Sequence, residues 1–127
     1  MNDVTLYICE TCTTIGAERN DEKRDGQRLF ENLQQKDLPE NIHLQPVRCL
    51  SACKDGCNIA LTAPDCWSYV YSQMDPDNET QLDDIIAGAT AYRDHEEGVV
   101  PWKARPEIFR KQSIARIPPM LSVAAKE

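Results

Sequence analysis

The sequence predicts an α+β fold with a mixed four-stranded sheet and an extended C-terminal arm. Three observations carry that expectation. Short β-branched and aromatic runs recur between segments of helical period, in the order β-α-β-β-β-α. The first two strand runs are separated by a whole helix, so they are expected to lie parallel. The third and fourth are separated by a tight connection and are expected to pair antiparallel.

Val4 to Cys9 reads as the first strand, β-branched or aromatic throughout but for Leu6, and it ends on a cysteine. Residues 13–24 are polar, include Gly16 and read as loop. Asp25 is a plausible N-cap for a helix to about Lys36, with Leu29, Phe30 and Leu33 as its apolar stripe. Leu44 to Cys49 reads as the second strand, again ending on a cysteine, with Pro46 marking a sheet edge. Asn58 to Ala63 and Trp67 to Gln73 form the antiparallel pair across Pro64-Asp65-Cys66. Asp75-Pro76 is expected to open the second helix with proline in its first turn, and Leu82, Ile85, Ile86, Ala89 and Tyr92 share one face of it. After Gly98 the chain turns apolar, basic and proline-punctuated. Residues 1–98 therefore read as the domain, and residues 99–127 as an arm packing on that body or on a second subunit, which makes a homodimer an expectation.

Hydrophobic residues are 41% and charged residues 28%, the balance of a globular domain, and no apolar run reaches membrane-spanning length. The N-terminal residues lack the pattern of a signal peptide. A cytoplasmic, reducing location is the expectation, and it directs cysteines toward metal rather than disulfides. The net charge of −7 is unevenly spread: residues 1–100 carry 19 acids and 8 bases, and residues 101–127 carry 2 acids and 6 bases. An acidic body repels phosphate backbones, which argues against nucleic acid, and steers instead toward a basic docking surface on a protein.

Four of the six cysteines form two close pairs, Cys9-Glu-Thr-Cys12 and Cys49-Leu-Ser-Ala-Cys53, separated by residues 13–48. Clusters at short fixed gaps bind metal or do redox chemistry. Parallel neighbouring strands end at the same sheet edge, so the chain after Cys9 and the chain after Cys49 should converge there. Four thiolates suit an iron–sulfur cluster and structural zinc alike, and spacing does not choose between them. Cys57 follows Gly56 closely; it reads as a packed thiol or as an alternative ligand. Cys66 reads as an inert small residue. His43 and His95 have no cysteine at ligand spacing and read as surface residues. Trp67 and Trp102 read as packing residues or as shields for the centre, and Arg48 and Lys54 as solvated cations or as neighbours offsetting thiolate charge.

The strand into Cys9-x2-Cys12, the helix, and the strand into Cys49-x3-Cys53 resemble the thioredoxin-like 2Fe–2S ferredoxins and the ferredoxin-type subunit of respiratory NADH dehydrogenase. That resemblance implies a thioredoxin-like β-α-β-β-α sandwich, with Cys9 and Cys12 on one iron and Cys49 and Cys53 on the other. Over nearly its full length the chain is also similar to an uncharacterised bacterial family of predicted metal-binding proteins. The segments that carry this are Leu6 to Cys12, Cys49 to Cys57, Val100-Pro-Trp102 and Ile114 to Pro119. It points to cobalamin synthesis or metal handling as a setting. Two departures stand out: no cysteine lies between Cys12 and Cys49, and Cys57 stands where the ferredoxins usually have proline. Cys12 is then the nearby second ligand unless Cys57 or Cys66 replaces it.

The implied function is a single-electron carrier with a 2Fe–2S cluster and a redox partner protein. The alternative is a four-cysteine Zn2+ or metal-delivery module. A thiol–disulfide enzyme at Cys9-x2-Cys12 is disfavoured because the expected helix begins far downstream and no Gly-Pro lies between the thiols. No nucleophile–base pair or phosphate-binding glycine loop marks an enzyme with its own substrate.

Overall fold

A computed structural model describes residues 2–10, 25–48 and 57–119. Five strands form one sheet: β1 (Val4–Cys9), β2 (Ile42–Val47), β3 (Cys57–Thr62), β4 (Ser68–Met74) and β5 (Ser113–Ile117). The spatial order is β2-β1-β3-β4-β5. β1 and β2 run parallel, and the other three pairings are antiparallel. Pro46 sits in β2, an edge strand, where its missing N–H does not break the sheet's interior.

Helices α1 (Asp25–Gln34) and α2 (Glu79–Asp94) cover one face of this sheet. Val4, Leu6 and Ile8 alternate along β1 toward that face, where they meet Leu29 and Leu33 of α1 and Leu82, Ile85 and Ala89 of α2. The start of α2 is tied sideways to α1. Arg28 makes a forked pair with Asp77 at 2.6 and 2.7 Å, Asn32 donates to the Pro76 carbonyl at 2.7 Å, and Lys36 reaches Glu79 at 2.6 Å. Both helices therefore occupy one layer, and the fold is a thioredoxin-like α+β sandwich.

Four expectations change. The sheet has five strands rather than four, because Ser113–Ile117 pairs with β4 (Tyr69 opposite Arg116, Val70 opposite Ala115). Before it, Trp102–Ala104 forms a 3-10 turn and Glu107–Lys111 a short helix, α3. The described part of the C-terminal segment is thus regular, and it packs on the chain's own body. Phe109 is buried, stacks on Tyr71 with ring centroids 4.1 Å apart, and lies over Gly88 of α2. Pro76 does not open α2. Asn78 caps it, accepting from the Gln81 N–H at 3.1 Å, and the helix begins at Glu79. Asp25, expected as a cap, is already helical.

β4 holds a bulge. Cys57 pairs with Met74 but Ile59 with Tyr71, so β4 carries one extra residue there, and Gln73 takes φ 60°. The register thereby shifts beside the N-terminal end of β3, where Cys57 lies.

Candidate metal centre

Cys9 is the last residue of β1 and is fully buried. Register places it opposite Val47 of the parallel β2, and the Glu10 N–H donates to the Val47 carbonyl at 2.9 Å. The Cys9 thiol lies 3.9 Å from the carbonyl oxygen of Arg48. Arg48 immediately precedes Cys49 in sequence, so the residues just after Cys9 and just before Cys49 lie side by side at one end of the sheet. Cys12, Cys49, Cys53 and Lys54 themselves lie outside the described residues.

Cys57 opens β3 and is also fully buried. β3 is antiparallel to β1, with Ile59 opposite Ile8, so Cys57 belongs to the same end of the sheet as Cys9. It alternates with Ile59 and Leu61 on the helix-covered side, opposite Met74 of β4, among core residues. Those are the surroundings of a packed residue.

One further residue positions this end: Gly26, in the first turn of α1. A Cβ on Gly26 would fall 1.9 Å from the Cys9 carbonyl oxygen and 3.2 Å from the Glu10 carbonyl carbon. The first turn of α1 thus rests directly on the backbone that carries Cys9, an approach open only to glycine. Arg28, two residues on, bridges Asp25 and Asp77. The hydrogen bonds it donates to those two carboxylates raise its pKa further and hold the guanidinium charged. The clamp joins the start of α1 to the segment before α2.

Cys66 lies elsewhere. It sits beyond the C-terminal end of β3, at the opposite end of the sheet from Cys9, which removes it as a replacement ligand. Its thiol points to the Glu96 carbonyl at 3.6 Å. At that end an open hollow of about 540 Å3 is lined by Asp3, Thr5, Thr62, Asp65 and Ser68 together with Cys66. Trp67 faces Arg116, whose guanidinium is 4.6 Å from its ring centroid, and Trp102 is 60% exposed, so neither shields Cys9. His43 Nε2 lies 2.8 Å from Asp3 on the outer edge, and His95 Nδ1 lies 2.6 Å from the Ala91 carbonyl. Among the described residues no three His, Cys, Asp or Glu side chains cluster as a metal site, since three of the four expected ligands fall outside them.

Burial, reinforced by Asp65 and Glu97, pushes the Cys66 thiol above its ordinary range, and burial does the same to the Tyr71 and Tyr92 phenols. Each is an acid whose folded pKa exceeds its unfolded one. The stability it lends is complete below the unfolded pKa and is lost as pH rises from there toward the folded value. Melting temperature is therefore expected to fall as pH climbs past about 9, with Cys66→Ala flattening the first part of that decline. A thermal-melt series in alkaline buffers reads this directly; identical profiles for the two proteins would contradict it.

A mixed sheet with both long helices on one face, and a cysteine at the end of a parallel strand pair, defines a thioredoxin-like architecture. The chain superposes on the structure of a thioredoxin-like [2Fe–2S] ferredoxin from Aquifex aeolicus with a TM-score of 0.51. The identity is 17%, over 95% of this chain and 100% of that one, a likeness of fold. In sequence, residues 6–119 match the model of DUF1636, a family of proteins of unknown function, and the chain belongs to that family. Comparison with curated proteins gives no match. Among the described residues no helix is long and apolar enough to cross a membrane.

Proposed function

We propose that this chain is an electron carrier that holds one 2Fe–2S cluster through Cys9, Cys12, Cys49 and Cys53. The observation that carries the reading is the approach of the buried Cys9 thiol to the Arg48 carbonyl across two parallel strands. It brings Cys9 and the residue that precedes Cys49 to one end of the sheet. The donor chemistry fits: four thiolates on two converging segments suit the usual ligand set of such a cluster. The ferredoxin of similar fold supports the same choice over zinc.

When bound, the cluster would accept and release one electron at a time. The chain's own contribution is to bury Cys9, to fix its backbone beneath α1 through Gly26, and to hold the entry to Cys49 beside it. Burial and hydrogen bonding around the sulfurs tune such a centre's potential. Electrons would pass to a partner protein, drawn by the acidic body to a basic docking surface. A setting in cobalamin synthesis or metal handling accords with this, and a substrate of the chain's own is not required.

Iron and acid-labile sulfide counted in anaerobically purified serine variants test the ligand set. Cys9→Ser, Cys12→Ser, Cys49→Ser and Cys53→Ser are each expected to lose most of the iron, while Cys57→Ser retains it. Iron lost in Cys57→Ser and kept in Cys12→Ser would transfer the fourth ligand to Cys57. Stoichiometric zinc without sulfide would replace the electron carrier with the zinc-binding or metal-delivery module.

A further inference from the structure

The large apolar side chains exposed among the described residues are Trp102, Ile114 and Ile117, at 60%, 44% and 51%. All three belong to the C-terminal segment, and two lie on β5. That strand closes one end of the sheet, and among the described residues nothing pairs with its outer edge. Edges of this kind are normally blunted. The opposite edge is: β2 carries Pro46. β5, Ser-Ile-Ala-Arg-Ile, has no proline within it, and its one irregularity is a register shift against β4 that leaves Ile114 as an extra residue between Ser113 and Ala115. Trp102 lies close by, since the Arg105 guanidinium is 5.5 Å from both the Trp102 and Tyr69 ring centroids, and Tyr69 is the cross-strand partner of Arg116.

Charge narrows what such an edge would accept. Residues 101–119 carry Lys103, Arg105, Arg110, Lys111 and Arg116 against Glu107 alone, on a chain whose first 100 residues hold 19 acids and 8 bases. The apolar side chains and the open backbone edge thus coincide with the one basic region of an acidic molecule. A second copy docking edge to edge about a two-fold axis would press two basic segments together. A second copy docking its acidic body here would make a contact that does not close and would propagate.

We propose that β5 is a docking edge for an extended, acidic and apolar segment of a partner protein, which adds as a sixth strand. Backbone hydrogen bonds would supply affinity. Alternate side chains of the incoming strand would contact Ile114 and Ile117, and its carboxylates would face Arg110, Lys111 and Arg116. The inference stands apart from the metal centre, which lies at the far strands β1 and β2, and holds whatever Cys9 binds.

The test uses the full chain and a fluorescent, end-capped peptide alternating glutamate and valine, followed by anisotropy at low salt. Its lysine–valine counterpart and an N-methylated version of the acidic peptide are the controls. The acidic peptide is expected to bind, and both controls to bind at least about tenfold more weakly. Ile114→Ser with Ile117→Ser, both exposed and tolerable to the fold, should weaken binding by a similar factor with an unchanged circular dichroism spectrum. Binding of neither peptide, equal binding of both charges, or no effect of the double substitution overturns the proposal. So does sedimentation showing a dimer that the double substitution dissociates, since a second copy would then occupy the edge.

Discussion

Gly26→Ala is expected to lower the melting temperature by about 10 °C, from a loss of about 3 kcal/mol of stability. The added methyl group would sit 1.9 Å from the Cys9 carbonyl oxygen, and neither that carbonyl nor the helix backbone is a flexible side chain that can step aside. α1 must lift off β1, opening the packing of Leu29 and Leu33 against Leu6 and Ile8. In an exposed helix the same change would stabilise, because alanine is the better helix former. The sign of the effect therefore reports the contact itself. Gln34→Ala, at the exposed end of α1, should leave the melting temperature within a degree or two. A Gly26→Ala protein as stable as the parent would show that α1 does not rest on Cys9. Where it folds at low temperature, it should also hold less iron, since Cys9 would be displaced.

Phe109→Ala is expected to cost about 4 kcal/mol in urea denaturation. Phe109 is only 2% exposed, stacks on Tyr71 and fills the space over Gly88. Its loss would leave a cavity between α2, α3 and β4 that the rigid aromatic pair Tyr69–Tyr71 cannot collapse into. β5 follows α3 directly, so the fifth strand should become more open to hydrogen exchange in this variant. A Phe109→Ala protein of unchanged stability would mean that residues 99–119 are a loose appendage rather than part of the core.

These two positions also show what the sequence could and could not disclose. β1 was legible to the residue because Val-Thr-Leu-Tyr-Ile is β-branched or aromatic but for Leu6. Pro46 correctly marked β2 as an edge. The apolar stripes of α1 and α2 were legible from period alone, since Leu29, Leu33, Leu82, Ile85, Ala89 and Tyr92 are all buried. β5 was not legible, because five residues between a short helix and Pro118-Pro119 have no alternating burial to announce them: Ile114 and Ile117 both remain exposed. Its pairing is a tertiary fact, set by the exposed edge of β4. The start of α2 was misread by three residues because Pro76 is as suitable just before a cap as just after one, and Asn78 won by offering its side chain to the Gln81 N–H.

The candidate site divides the same way. The expected convergence of the chain after Cys9 with the chain into Cys49 rested on a helix between two strands; the Cys9 thiol lies 3.9 Å from the Arg48 carbonyl, and Cys49 itself lies outside the described residues. Gly26 and the Arg28 clamp on Asp77 were hidden, since a glycine's role is visible only when its neighbour is known. One clue was present: glycine in the second position of an otherwise good helix, against its own propensity.

One spectrum tests the proposed 2Fe–2S centre most directly. The protein purified without oxygen should be red-brown, with visible absorption that bleaches on dithionite reduction as an EPR signal of a one-electron-reduced 2Fe–2S cluster appears. A colourless protein, silent in EPR and carrying zinc, would contradict the account.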